Sequence, residues 1–482
     1  MANSLNKSRS GASGTGVLSR AGRGPLFSLL DGVIFYGLIG LIALTAIPYG
    51  TVHPWSEALF ECAVFLLTLL WIVCGFVEGS WQIGNLRLLA PLIGLVFLAA
   101  AQSVAWWRTE LAGIQVWFAL SADPFETRAF AFRLAALVLA GLLLIRFTST
   151  AKRLGLLVHA IILVAAASAL FGIARQAMQH GQGFWLSRLQ VGQGYGQFIN
   201  KNHFAFLIEM ALGLVVGLAF MQRGRRERFL LYLSALLLMG AAIVLSNSRG
   251  GLLSTTVQAV FAALLFINSR TIGRNQVTGW IRWSRSIAFT TVAIGALVFI
   301  IIVGVVWLGG DQLTTGVETA TSEMTGVDVS EIHEGARRRD IWRATWLMFK
   351  THPTTGAGLG GFWAEVPVYH SASGVLTPEQ AHNDYLELLA SGGLVGAVLF
   401  VWFVVIFIRQ AWQRVNDSEG FQRAVVLGTI ISVVGVGVHS IVDFGLHTTV
   451  NGLVFVALLA ILSLKTSGWD GRPNVSEGVT VR

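Results

Sequence analysis

QAHNDYLELLASG (380–392) runs directly into GLVGAVLFVWFVVIFIRQ (393–410). The second stretch is apolar for long enough to cross a bilayer, which takes about 17–25 residues. The first carries a histidine, an amide and two carboxylates against the mouth of that span. Such groups are costly near hydrocarbon, so they belong to chemistry or to a polar cavity. The fold class follows from repeating this reading along the chain.

Twelve apolar runs of spanning length occur, near 27–49, 58–78, 87–106, 129–146, 154–174, 203–221, 229–246, 250–267, 286–309, 393–410, 423–443 and 448–465. The expected fold is all-α: a polytopic membrane protein of about 12 transmembrane helices, with a large external helical loop between spans 9 and 10. The expected divisions are a basic tail (1–26), spans 1–9 (27–309), an external helical loop (310–392), spans 10–12 (393–465) and a second tail (466–482).

Composition agrees with this class. The 482 residues are 54% hydrophobic and 12% charged, against roughly 25% charged for a soluble protein. The net charge is +9, but in a membrane protein Lys and Arg report orientation before partners, so nucleic acid is not an expected partner. With an even number of spans, 22 Lys and Arg fall on the side of the termini, against 6 in the short loops opposite. Both termini are therefore expected in the cytoplasm, and 310–392 outside. Only Arg133 falls within a span. The N-terminal tail runs straight into a full-length apolar segment and reads as an uncleaved anchor. Cys62 and Cys74, roughly 18 Å apart along one helix, cannot form a bridge within the chain.

The external interval reads as two helices. The first spans about 331–350 and stops before His352-Pro353. The second has Thr377 as N-cap, Pro378 in the first position and Gln380 completing a capping box. It would end at Gly392-Gly393. On that helix His382, Tyr385, Leu386 and Leu389 share a face, which points His382 toward the membrane domain. His382 is either a core histidine with one hydrogen bond or a general base or acid in a cavity. Asp384 could orient a ring, but a structural role comes first.

Four further places supply polar groups on the same side. Arg249, in Ser246-Asn247-Ser248-Arg249-Gly250-Gly251, faces an anionic group or a lipid headgroup. Arg337-Arg338-Arg339 opens a segment in which Arg338 and Trp342 share a face. Arginine suits bidentate phosphate contact; the alternative is headgroup snorkelling. The loop 175–203 offers Arg188, Lys201, Asn202 and His203. His439 and Asp443, four apart, form either a structural pair or a second polar wall of the cavity. Gly356–Gly361 is no nucleotide loop, since neither a preceding strand nor a following Lys-Ser/Thr exists; close packing or a tight turn fits it better. No metal-ligand signature appears, and no cofactor is expected.

Three passages together resemble the O-antigen ligase and polymerase superfamily: Gly196-Gln197-Phe198-Ile199-Asn200-Lys201-Asn202-His203-Phe204-Ala205; Ser248-Arg249-Gly250-Gly251; and Arg338-Arg339-Asp340-Ile341-Trp342 through His352-Pro353 to His382-Asn383-Asp384-Tyr385-Leu386-Glu387. Lys201 stands where many members have proline. The resemblance implies an inverting, metal-independent glycosyltransferase of the bacterial inner membrane with a periplasmic site. Its donor would be an undecaprenyl-pyrophosphate-linked glycan, and membrane lipids would surround it. The acceptor would be lipid A-core in a ligase, or a second carrier-linked glycan in a polymerase. The His382 motif reads closer to the ligase branch. By position, His382 would activate the acceptor hydroxyl. Arg249 and Arg338 would hold the pyrophosphate, with Arg188, Arg339, Asn202 and Asp384 lining the substrate. A lipid-linked glycan transporter and a non-catalytic scaffold are the alternatives from other classes.

Overall fold

A computed structural model describes residues 25–79, 84–111, 114–178, 194–221, 226–271, 338–370 and 378–464. The chain is a bundle of apolar helices. The first eight are α1 (Pro25–Ala46), α2 (Pro54–Glu78), α3 (Ala90–Ser103), α4 (Pro124–Phe147), α5 (Ala151–Ala177), α6 (Lys201–Met221), α7 (Arg226–Leu245) and α8 (Arg249–Thr271). After them come α9 (Arg338–Thr351), α10 (Asp384–Asp417), α11 (Gly420–His439) and α12 (Thr449–Ser463).

Among the described residues nine helices are long and apolar enough to cross a membrane. The runs expected at 87–106 and 448–465 form shorter helices, α3 and α12. Fifteen residues rise only about 22 Å, and α12 lies almost wholly buried inside the bundle. Its hydrophobicity serves protein packing rather than lipid contact. The expected ninth span, 286–309, lies outside the described residues, as do the two tails.

One part of the chain departs from the all-α expectation. Ala105–Leu111 (β1) and Ile114–Ala119 (β2) pair as an antiparallel hairpin, with Arg108 opposite Trp117. The Arg108 guanidinium sits 5.7 Å from that indole ring, within cation–π range. Helix α3 stops at Ser103, where Val104 turns extended. The Trp106 indole then donates to the Ala101 carbonyl at 2.7 Å, taking up an acceptor at the helix end.

The centre of the bundle is α6 against α11. Gly213 and Gly217, one turn apart, face Gly428 and Ser432. A Cβ on Gly213 would come within 2.3 Å of Ser432 Oγ, and one on Gly217 within 2.3 Å of the Ala424 carbonyl. Small residues let the two backbones touch, the usual way to associate helices in lipid. Arg133, within α4, pairs with Glu57 at 3.1 Å, as intramembrane charges do.

The second external helix differs from expectation. Thr377 lies outside the described residues, and Pro378–Asn383 is not helical. The helix starts at Asp384, where the Asn383 side chain accepts from the Tyr385 and Leu386 amides. An Asn cap at the residue before the helix outcompetes the Thr-Pro signal upstream. Nor does the helix end at Gly392-Gly393. It bends there, at Gly393 (φ 60°, ψ −158°), and continues to Asp417. The bend releases carbonyls, and the Gly356–Gly361 run meets them. The Ala357 and Gly358 amides donate to the Ala390 and Ser391 carbonyls, while Leu394 and Val395 donate back to Pro353 and Thr354. Gln102 clamps this seam from α3, donating to Thr355 and Ser391 and accepting from Leu359. The glycine run is thus a tight turn packed on a kink.

Candidate active site

His382 stands just ahead of α10 with φ 50°, outside the helical face on which it was expected. Its loop is held on three sides. Trp342 of α9 donates to the Ala381 carbonyl at 3.0 Å. The Ala381 amide donates to Glu387 Oε2 at 2.8 Å. The Asp384 amide reaches the Ser440 carbonyl at 2.9 Å. Tyr385, one turn into α10, donates to the Gly437 carbonyl. The His382 ring meets Phe444 edge-on at 4.9 Å.

The group that gathers the site is Asp443, in the turn after α11. Its side chain is 1% exposed. Oδ1 lies 3.6 Å from His382 Nδ1 and accepts from the Phe444 amide at 2.9 Å. Oδ2 accepts from the Asn202 amide and lies 4.0 Å from the Arg338 guanidinium. Asn202 in turn accepts from Ser248 Oγ at 2.7 Å. Ser248 precedes Arg249 and caps the first turn of α8 through the Gly251 amide. One carboxylate therefore ties together the histidine loop, α9, the α6 entry and the α8 entry.

Burial would raise the Asp443 carboxyl, but contact with His382 and the charges of His382, His203 and His439 outweigh it. The group is held well below the usual carboxylate range and stays ionised. Burial lowers the Arg338 guanidinium, the Asp443 charge opposes this, and the neighbouring Arg249 adds to the lowering. Arg338 remains a cation, as arginine does in proteins.

The other expected residues fall as follows. Arg249 begins α8 and is half-buried, within electrostatic reach of Arg338 and Lys201. Arg338 and Trp342 do lie on the same side of α9, toward the histidine loop, whereas Arg339 is exposed. Asp384 sits beside His447, 3.5 Å away, rather than beside His382. Arg188 and Arg337 lie outside the described residues.

His439 and Asp443 do not pair through their side chains. The Asp443 amide still donates to the His439 carbonyl at 3.1 Å, but the two side chains turn to different partners. His439 lies instead 3.0 Å from Glu209 on α6, both fully buried, with Phe206 stacked on its ring at 4.0 Å. The sequence reading missed Glu209 and the direct link from Asp443 to His382. The available signal was an acid at the end of an apolar run, sixty-one positions after the histidine. Among the described residues no group of three or more His, Cys, Asp or Glu is disposed to hold a metal.

His382 and Arg338 thus converge on one buried, ionised carboxylate, with Arg249 within electrostatic reach of Arg338. Residues 234–401 match the O-antigen ligase family. The match includes Arg249, Arg338 and His382, so this part of the multi-pass membrane protein is similar to the O-antigen ligase family. It stops short of Asp443 and begins after Asn202, so the side chains that join the domain's residues lie outside it. No curated protein matches the chain.

Proposed function

We propose that this protein is an inverting glycosyltransferase of the bacterial inner membrane, most similar in action to an O-antigen ligase. It transfers a glycan from an undecaprenyl-pyrophosphate carrier to a lipid A-core acceptor on the periplasmic face. The reading rests on one observation: within the O-antigen ligase match, His382 faces a buried Asp443 carboxylate that also approaches Arg338.

His382 accepts the proton of the acceptor hydroxyl as that oxygen attacks the anomeric carbon of the donor glycan. The bond from the anomeric carbon to the carrier pyrophosphate breaks, and its electron pair leaves with the pyrophosphate. Arg249 and Arg338 stabilise the charge that grows there, a preorganised electrostatic role. Asp443 positions the imidazole and balances the proton it takes up. Attack opposite the departing pyrophosphate inverts the anomeric centre. No step requires a metal.

The test is direct. Purified protein is incubated with an undecaprenyl-pyrophosphate oligosaccharide, with and without lipid A-core, and the products are sized. A product that requires lipid A-core is expected. A ladder of longer carrier-linked glycans without lipid A-core identifies a polymerase instead. Unchanged donor in both, with His382→Asn indistinguishable from wild type, overturns the transferase reading in favour of transport or scaffolding.

A further inference from the structure

Beside Arg249, but apart from His382, the structure contains a cavity of about 160 Å³. It is bounded by the end of α5 (Gly172, Arg175), the turn carrying Tyr195, the first residue of α6 (Lys201) and the α7–α8 corner (Asn247). Among the described residues that line it are two cations and no Asp or Glu. Arg175 is 7% exposed, and it donates to the Gly196 carbonyl at 2.9 Å, which fixes the guanidinium at the wall. The Tyr195 hydroxyl is buried and has no hydrogen-bond partner. A buried hydroxyl without a partner costs roughly 1–3 kcal/mol, so it marks a place where something else completes the bond. The ring of Tyr195 is seated by Gly172, where a Cβ would come within 2.3 Å of it. At the mouth, Asn247 holds φ 52°, a backbone that asparagine tolerates better than most residues.

The volume is small. Sites for whole drug-sized ligands run to about 300–1,000 Å³, so an oligosaccharide does not fit. One compact group does. Two positive charges, a hydroxyl and an amide select for a group that is both anionic and rich in acceptors.

We propose that this cavity is a second anion subsite, taking a single phosphate or carboxylate group of the donor. Resting on the transferase reading, it extends the donor site from Arg249 to Lys201 and Arg175. The anion has two possible sources: a phosphate of the carrier pyrophosphate, or an acidic substituent of the first sugar. Arg249 is within electrostatic reach of both Lys201, which lines this cavity, and Arg338, so the two sites can share one donor headgroup.

Equilibrium binding to the full-length His382→Asn protein, which cannot turn over, tests this. The probes are undecaprenyl-pyrophosphate carrying a neutral disaccharide and the same carrier with glucuronate as first sugar. Lys201→Gln, which loses one charge-assisted contact, and Asn247→Asp, which sets a carboxylate against the anion, are each expected to raise Kd about tenfold. An increase for both donors identifies the carrier phosphate as the anion. An increase for the glucuronate donor alone identifies the sugar carboxylate. Lys201→Arg, which keeps the charge, is expected to bind as the parent does. Unchanged Kd for both donors in the charge-altering variants overturns the subsite, as does equal loss in Lys201→Arg, which assigns the effect to folding. A wild type that binds these donors tightly but transfers nothing refutes the transferase reading and leaves the subsite standing.

Discussion

At His382 the backbone takes φ 50°, a conformation that costs most non-glycine residues of order 1 kcal/mol or more. The contacts of Ala381 and Asp384 on either side hold it there. His382→Asn accepts the same backbone and removes the base. It is expected to unfold at the wild-type temperature and to give no transfer, so that fold and chemistry are read separately. Asp443→Asn keeps the shape but loses the charge behind the imidazole. By analogy with an orienting carboxylate elsewhere, kcat should fall about 10²–10⁴-fold while donor affinity changes less. Single-turnover kinetics separates the two.

The same substitution has a pH signature. Asp443 in the folded protein is held below its ordinary value, so its contribution to stability is present above the unfolded pKa of about 4 and fades as pH falls through the folded value. The gap in Tm between wild type and Asp443→Asn should be constant from pH 5 to 8 and narrow below about pH 4. A gap that opens on acidification would mean the carboxyl is raised instead.

At the scale of elements, the kink in α10 and the Gly356–Gly361 turn form one device. A Cβ on Gly393 would lie 2.3 Å from the Thr354 carbonyl, and its φ/ψ is essentially reserved to glycine. Gly393→Ala is expected to cost roughly 2 kcal/mol or more and to displace the start of α10, lowering both Tm and transfer. Gln102→Leu acts on the same seam from α3. It leaves the Thr355 and Ser391 carbonyls and the Leu359 amide without that partner, and should lower Tm while leaving donor affinity in the residual folded protein close to wild type. Equal loss of affinity and Tm would show that the seam itself shapes the donor pocket.

This region also shows where the sequence could and could not be read. The apolar runs were legible because a span is set by length and composition alone. Arg338 facing with Trp342 was legible because α9 is a regular helix and periodicity holds within it. The histidine loop was not. Thr-Pro and Asn-Asp are both plausible helix starts, and tertiary contacts to Ser440 and Trp342 decide between them. The links from Asp443 to Asn202 and His382 escaped because these partners lie far away in the chain. The hairpin at 105–119 escaped because a tryptophan-rich segment after an apolar run reads equally well as the end of a span.

At the scale of the whole molecule, the site stands at one end of the bundle. Asp443, the start of α6, the start of α8 and the start of α10 all meet there. Helices α6, α8 and α10 present their N-terminal ends to this site, so their dipoles favour an anionic substrate. The excess of Lys and Arg in the short loops on the terminal side is the argument for the proposal that the opposite end faces outside. Two exposed positions separate these alternatives: Glu379, beside the histidine loop, and Lys152, at the start of α5. Because Cys62 is exposed, both cysteines are first replaced by serine. In intact cells whose outer membrane has been opened, a membrane-impermeant maleimide is expected to label Glu379→Cys at once and Lys152→Cys only after the inner membrane is permeabilised. The reverse pattern would put His382 in the cytoplasm. There a nucleotide-activated sugar could reach it, and the carrier-linked donor would no longer be required by location.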